Sequence, residues 1–346
     1  MRRRRVAAIA ITSLLAVGVI AGCGSSSSSS SGAAASSSSS ASSSSSASSS
    51  ASSSASTPAT SPTGASASVT ATGAFGKAPT VTIPAATAGS ALYTKTLIQG
   101  TGAKLTTSQS LLGDFALYVW SGKTHKLIGS TYTEGVPTLF TGTLLPGLET
   151  ALEGQKVGSR VIAVIPPKDA FGAAGNSSIG VGANDTVVFV VDMLKTFDNS
   201  AGVSGTQTSD GGGALPTVKA GAAGKGPTIT IPSTAAPKTL QVKTLIKGTG
   251  PVVKKGQYIV VQYTGVNYRT KKVFDSSWSR SEPFATEIGE GQVIPGWDTG
   301  LVGQTVGSRV LLVIPPKDGY GTAGSSAAGI KGTDTLVFAV DIIDAA

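Results

Sequence analysis

An α+β fold, present twice in tandem behind a long unstructured lead, is what this sequence predicts. Three observations carry the prediction. A series of short motifs recurs at a spacing of 148 to 149 residues, the apolar residues of the second copy alternate with period two, and that copy holds one short helix start led by proline. The length of 346 residues suits two domains at roughly 100–200 residues each.

The N-terminus reads as an address. Arg2, Arg3, Arg4 and Arg5 precede an apolar run from Val6 to Ile20, which leads into Ala21-Gly22-Cys23. A charged start, an apolar stretch short for a membrane span and small residues at its end describe an export signal over 1–22. The chain's one cysteine follows those small residues directly, and the arrangement resembles the lipobox of bacterial lipoproteins. That resemblance implies acylation of Cys23, with more than one acyl chain to hold the protein at the outer face of the cytoplasmic membrane. Ordinary secretory cleavage or an uncleaved anchor are the alternatives. Residues 23–74 are serine- and alanine-rich and uncharged. They offer too little apolar surface to offset the entropy of ordering, so they predict a disordered tether. Serine-rich stalks can also carry glycans.

The repeat follows. Gly76-Lys77-Ala78-Pro79-Thr80-Val81-Thr82-Ile83-Pro84 returns as Gly224-Lys225-Gly226-Pro227-Thr228-Ile229-Thr230-Ile231-Pro232. Val157-Gly158-Ser159-Arg160 returns at Val306 to Arg309, and Ile165-Pro166-Pro167-Lys168-Asp169 at Ile314 to Asp318. So long a period means tandem domains rather than a solenoid, whose repeats run about 20–50 residues. The domains are placed at 75–197 and 223–346, joined by a linker over 198–222 rich in Gly, Ala, Ser and Thr. In the second copy Tyr258–Tyr263 and Arg309–Ile314 read as strands. Pro295-Gly296-Trp297-Asp298 opens a helix with proline at its first position. Leu336, Phe338, Val340 and Ile342 alternate as one face of a further strand.

Composition excludes several functions. Four of the nine net positive charges are the N-terminal arginines, and no basic cluster falls on a predicted element, which argues against nucleic-acid binding. One cysteine and one histidine, His125, rule out a disulfide framework and a thiolate or multi-histidine metal site. Gly224-Lys225 lacks the rest of a P-loop, and the second copy has no histidine for a Ser-His-Asp arrangement.

Five motifs then carry a specific resemblance. Tyr263-Thr264-Gly265, Val273-Phe274-Asp275-Ser276-Ser277, Val293-Ile294-Pro295-Gly296-Trp297, Pro316-Lys317-Asp318-Gly319-Tyr320-Gly321 and Thr335-Leu336-Val337-Phe338 stand in order along the second copy. In order and approximate spacing they resemble the FKBP-type peptidyl-prolyl cis-trans isomerases. The resemblance implies an antiparallel sheet curled around a short helix, and an activity on proline-containing polypeptides that needs no cofactor and no metal. It places Trp297 at the floor of an apolar pocket, with Tyr263, Phe274, Val293, Ile294 and Phe338 as walls and Phe284 and Ile330 as further contacts. Tyr320 would offer its hydroxyl, and Ile294 its backbone N–H, to a substrate carbonyl. Asp275 would stand at the rim, orienting Tyr263 or answering the amide's changing dipole. Arg280, five residues on, is either its partner or a solvated loop residue. Binding of macrolide immunosuppressants is also implied, although Gln292 and the loop at Ser325–Gly329 depart from the family pattern.

The first copy departs at the pocket. Leu148 stands for Trp297, Phe171 for Tyr320, Phe115 for Tyr263, and Ile128-Gly129 for Phe274-Asp275, while Phe189 keeps the Phe338 position. The expectation is a domain that folds alike and turns over poorly or not at all. For the whole chain the alternative to an isomerase is a surface lipoprotein that grips proline-containing segments without turnover.

Overall fold

The computed structural model describes residues 63–346. The expected export signal over 1–22, Cys23 and the expected tether as far as residue 62 lie outside the described residues.

Two six-stranded antiparallel sheets organise the chain. The first takes β3 (Tyr93–Ile98), β4 (Gln109–Ser121), β5 (Thr124–Ser130), β6 (Thr138–Phe140), β7 (Arg160–Ile165) and β8 (Thr186–Asp198), and is preceded by a small hairpin of β1 (Thr70–Thr72) and β2 (Thr80–Thr82). The order is β3-β7-β8-β4-β5, with β6 paired to β4. Short helices α1 (Thr131–Glu134) and α2 (Pro146–Leu152) accompany it. The second half repeats the plan. Its hairpin is β9 (Thr217–Lys219) with β10 (Thr228–Thr230), and its sheet takes β11 (Gln241–Ile246), β12 (Tyr258–Asn267), β13 (Val273–Ser276), β14 (Phe284–Glu287), β15 (Arg309–Ile314) and β16 (Leu336–Ala345). The order is β11-β15-β16-β12-β13, with β14 on β12; α3 (Ser277–Arg280) and α4 (Pro295–Leu301) complete it.

Side-chain alternation along these strands builds two apolar layers. Ile259, Val261 and Tyr263 of β12, Val310, Leu312 and Ile314 of β15, and Phe338, Val340 and Ile342 of β16 face inward onto Trp297 and Leu301 of α4. Leu311, Val313, Val337 and Ala339 face the other way, onto Val218, Ile231 and Leu245. With both faces covered, β15 is buried at every residue, which is why its sequence is a continuous apolar run.

The covering layer corrects two boundaries. The tether ends before 74: Val69 is 0% exposed within the outer apolar layer of the first sheet, and Ser66 Oγ accepts a hydrogen bond from Gly89 N at 2.9 Å. From Val203 on, the stretch read as a linker is likewise laid against the second sheet. Val203 N donates to Asp341 Oδ2 at 3.1 Å, Thr208 N to Leu245 O at 2.9 Å, and Val218 is buried. Gly, Ala, Ser and Thr lack bulk, and that allows such a strap to lie close to a sheet; the same composition reads as a loose linker in sequence.

The repeated Val-Gly-Ser-Arg motif is scaffold in both halves. Gly158 and Gly307 both take φ +89°, a conformation that suits glycine. Ser159 and Ser308 each accept a backbone N–H through the hydroxyl, from Gly100 and Gly248 at 2.9 Å. Arg160 and Arg309 form two-pronged buried pairs with Asp192 and Asp341 at 2.6–2.7 Å. The two halves touch through Leu112, Leu139 and Phe197 on one side and Val260 and Ala285 on the other, beside a Lys195–Asp344 ion pair.

Candidate active site

Five elements of the second domain, β12, β13, β14, α4 and β16, converge with Tyr320 on one cavity of about 390 Å³, within the usual range for small-ligand sites. Strand β12 brings Tyr263 inward. Two residues on, at the next inward position, stands Gly265, where a β-carbon would lie 2.8 Å from Phe274 Cζ and 2.9 Å from Phe338 Cε1. The missing side chain gives both rings their room. Strand β13, paired to β12 with Asp275 opposite Gly265, supplies Phe274 and Asp275. Strand β14 supplies Phe284, and α4 with the residues before it supplies Val293, Ile294 and Trp297.

Helix α4 begins at Pro295, whose lost N–H is one the first turn would leave unpaired. Asp298, in that first turn, accepts from Gly289 N at 2.7 Å and Gly291 N at 2.8 Å, fixing the loop that leads into Val293 and Ile294. Sequence reading missed this role; the readable signal was a carboxylate in the first turn of a helix. The Ile294 backbone N–H makes no hydrogen bond among the described residues.

The walls are ring edges against ring faces. Tyr263 and Trp297 lie 5.3 Å apart at 83°, Trp297 and Phe338 5.3 Å at 87°, and Phe274 and Phe338 5.5 Å at 87°. Edge-to-face pairs of this kind contribute about 0.5–1.5 kcal/mol each beyond burial, so the wall positions are held mutually. Trp297 is 4% exposed, and its buried indole N–H has no partner.

Polar groups gather at one rim. Tyr263 Oη donates to one oxygen of Asp275, Arg280 Nη1 donates to the other, and Arg280 Nη2 reaches Tyr263 Oη at 3.2 Å. Arg280 is thus the partner of Asp275 rather than a solvated loop residue. Burial pushes the Tyr263 hydroxyl above the usual tyrosine range, and its bond to Asp275 adds to the shift, so it remains a neutral donor. Burial also raises Tyr320, with the Asp275 charge as a second cause. Tyr320 lines the cavity at 41% exposure.

The structure therefore brings Tyr263, Phe274, Asp275, Phe284, Val293, Ile294, Trp297, Tyr320 and Phe338 to one cavity, and adds Gln292 to its lining. Ile330 is the exception. It is 4% exposed, packs into the core and does not line the cavity. Paired backbone bonds to Ser325, at 2.8 and 2.9 Å, fold its loop so that the side chain turns into the core.

The family is settled by a match that covers both halves. A family model described as FKBP-type peptidyl-prolyl cis-trans isomerase matches residues 107–194 and again 250–343, more than half of the chain. The chain belongs to this family. An FK506-binding protein of Streptomyces anulatus is 39% identical over 117 residues, 34% of this chain and 94% of the relative. Peptidyl-prolyl cis-trans isomerase FKBP9 of Rattus norvegicus is 30% identical over 203 residues, 59% of this chain and 29% of that longer relative. Among solved structures, that of AtFKBP13 is 35% identical, with 32% of this chain and 96% of that chain covered at a TM-score of 0.30.

Within this FKBP pair, register locates the first domain's departures. Leu117 pairs with Gly129 and Phe189 as Gly265 pairs with Asp275 and Phe338. A leucine side chain therefore stands where the second domain keeps space for two rings. Phe115, without a hydroxyl, packs 5.9 Å from Phe140 and 6.0 Å from Phe189. Leu148 is wholly buried where the indole would be.

Proposed function

We propose that the second domain carries the peptidyl-prolyl isomerase activity of an exported, lipid-anchored protein that assists folding of polypeptides outside the cytoplasmic membrane. The observation that carries this reading is the aromatic cavity, with Trp297 at its floor and the Tyr263, Asp275, Arg280 and Tyr320 groups at its rim.

The chemistry needs little more. Rotation about an X–Pro bond breaks amide resonance against a barrier of about 18–20 kcal/mol. The planar amide is the more dipolar state, so an apolar cup around the pyrrolidine ring disfavours it relative to the twisted one. Hydrogen bonds from Tyr320 Oη and the Ile294 N–H to carbonyls beside the rotating bond fix the chain while it turns. Preference for the twisted form is what accelerates, at about 1.4 kcal/mol per tenfold. The fixed Asp275–Arg280 pair and the neutral Tyr263 hydroxyl supply dipoles that need no reorganisation as the amide's charge changes. No protein group is consumed and no bond is made.

On the same reading the first domain is a non-catalytic companion, because Leu117, Ile128, Leu148 and Phe171 replace the space and the polar groups. The cavity's fit to macrolide immunosuppressants, and anchoring through Cys23 after loss of residues 1–22, belong to the proposal as well. A protease-coupled assay of X–Pro isomerisation on the full chain tests the enzyme. The unsubstituted chain accelerates, and Trp297→Leu loses at least about tenfold in kcat/KM with unchanged circular dichroism. Absence of acceleration by the unsubstituted chain, with the same peptide still bound, favours the gripping alternative. The anchor is tested by labelled fatty acid in a bacterial host: Cys23→Ser loses the label, and retention of label defeats acylation at that cysteine.

A further inference from the structure

Trp278 belongs to neither the cavity nor the core, yet the joining segment at Gly202 and the start of the second domain at Gly226 both close on it. Gly202 and Gly226 approach the two ends of its ring. A β-carbon on Gly202 would stand 2.6 Å from Trp278 Cη2 and from Asp341 Oδ2, and one on Gly226 would stand 2.6 Å from Trp278 Cδ1 and 2.8 Å from its Cγ and from Thr264 Oγ1. Val203, next to Gly202, is held by Asp341, which is itself locked to Arg309. Backbone therefore approaches the half-buried ring closely at both ends.

Trp278 sits in α3 between two residues that reach the site. Ser277 Oγ accepts the Tyr263 backbone N–H at 2.8 Å and donates to Gln262 Oε1. Arg280, at the end of the same turn, holds Asp275 and touches Tyr263 Oη. Gln262 extends the connection outward, because its Nε2 donates to Asn199 O at 2.8 Å, where the chain leaves the first domain.

The first domain shows what changes when no such site is supported. Its turn keeps the hydroxyl relay, with Phe115 N bonded to Thr131 Oγ1 and Thr131 Oγ1 to Asp114 Oδ1, each at 2.9 Å. At the position of Gln262 it has Asp114, a carboxylate with no N–H to offer. The repeat sets Ala78 against Gly226, and register sets Tyr132 against Trp278. The larger ring goes with the absent side chain, and the smaller ring with a methyl group.

We propose that Trp278 is a positioning residue through which the interdomain strap at Gly202 and the start of the second domain at Gly226 hold the Asp275–Arg280–Tyr263 rim in register with the cavity. This rests on the isomerase reading of that cavity. The strap is thus a working part of the catalytic half and not a spacer. The rim keeps its geometry only while Gly202 and Gly226 confine the ring.

The test is made on the full chain with saturable X–Pro peptide kinetics. Gly226→Ala, which drives a methyl into the ring, lowers kcat about fivefold or more with KM within about twofold. Trp278→Tyr, which adds no clash, lowers kcat by about threefold or more. With Thr264→Ala added to relieve the methyl's second clash, Gly226→Ala and Trp278→Tyr together recreate the first domain's Ala78, Ala116 and Tyr132 and recover most of the loss. A ring that matters only for stability would lower the melting temperature of the single variants and leave kcat in place. Singles with unaltered kcat, or a combined variant with Thr264→Ala no better than the worse single, overturn the inference. No turnover by the unsubstituted chain overturns the isomerase reading itself, and the two failures are told apart by that control.

Discussion

Tyr320 and Asp334 show how much one side chain can decide in this domain. Tyr320 contributes a wall and a hydroxyl, and Tyr320→Phe removes the hydroxyl alone. A neutral hydrogen bond is worth about 0.5–1.5 kcal/mol, so kcat/KM falls about two- to tenfold while melting is unchanged. An unaltered kcat/KM would remove the hydroxyl from the mechanism. Asp334 acts on stability. It accepts from Arg269 at 2.6 and 2.8 Å, from Asn267 Nδ2 at 2.7 Å and from Lys331 N at 2.9 Å. These bonds, the Arg269 guanidinium foremost, hold its carboxyl well below the usual carboxylate range. A lowered folded-state value contributes stability above the unfolded value of about 3.9 and loses it as pH falls through the folded one. Urea midpoints of the unsubstituted chain therefore decline below about pH 4. Asp334→Asn lowers the midpoint at pH 7 and narrows its gap to the unsubstituted chain in acid. A gap that stays constant with pH would remove Asp334 from the acid response.

Among elements, β12 carries one of the differences between the two sites, Gly265 against Leu117. Gly265→Leu copies Leu117 into the second domain and pushes a side chain into the space of the Phe274 and Phe338 rings. Turnover falls by at least about tenfold, with circular dichroism retained because the first domain folds with that residue. Retained turnover would show that the cavity does not depend on Gly265. The strands that matter here were legible where alternation ran long enough: β15 and the inward face of β16 follow directly from Arg309–Ile314 and Leu336–Ile342. The helix start at Pro295 was equally legible, because proline and an acidic first turn have local causes. Hairpins β1–β2 and β9–β10 were not, since three residues per strand are too few to establish a period. Their signal was the repeat itself, Thr80-Val81-Thr82 against Thr228-Ile229-Thr230. Most of the site was legible through motif resemblance. Ile330 was misplaced because its direction is set by loop closure onto Ser325, which side-chain type does not encode.

Across the whole molecule, the unit that folds is larger than composition suggests, and the first domain offers the clearest measure of it. A chain beginning at Phe75 matches the boundary that serine content draws; one beginning at Thr63 keeps what the structure shows packed. The difference is specific. Val69, wholly buried, contributes about 1.5–3 kcal/mol of burial that the shorter chain lacks. Arg160, 1% exposed, donates to Gly73 O and Ala74 O at 3.0 Å, as well as to Lys77 O and Asp192. Removing 63–74 takes two of those acceptors from a buried guanidinium, at a cost of about 1–3 kcal/mol or more for the unsatisfied charge-bearing donors. Strand β2 also loses its partner. The expected result is a first-domain denaturation midpoint lower by several tenths molar urea or more, given slopes of about 1–3 kcal/mol per molar. The aromatic cavity, 390 Å³ and lined wholly from the second domain, keeps its turnover. Equal midpoints for chains starting at 63 and 75 would show that residues 63–74 contribute nothing net. A fall confined to the first domain would establish that the first repeat begins with its own covering segment.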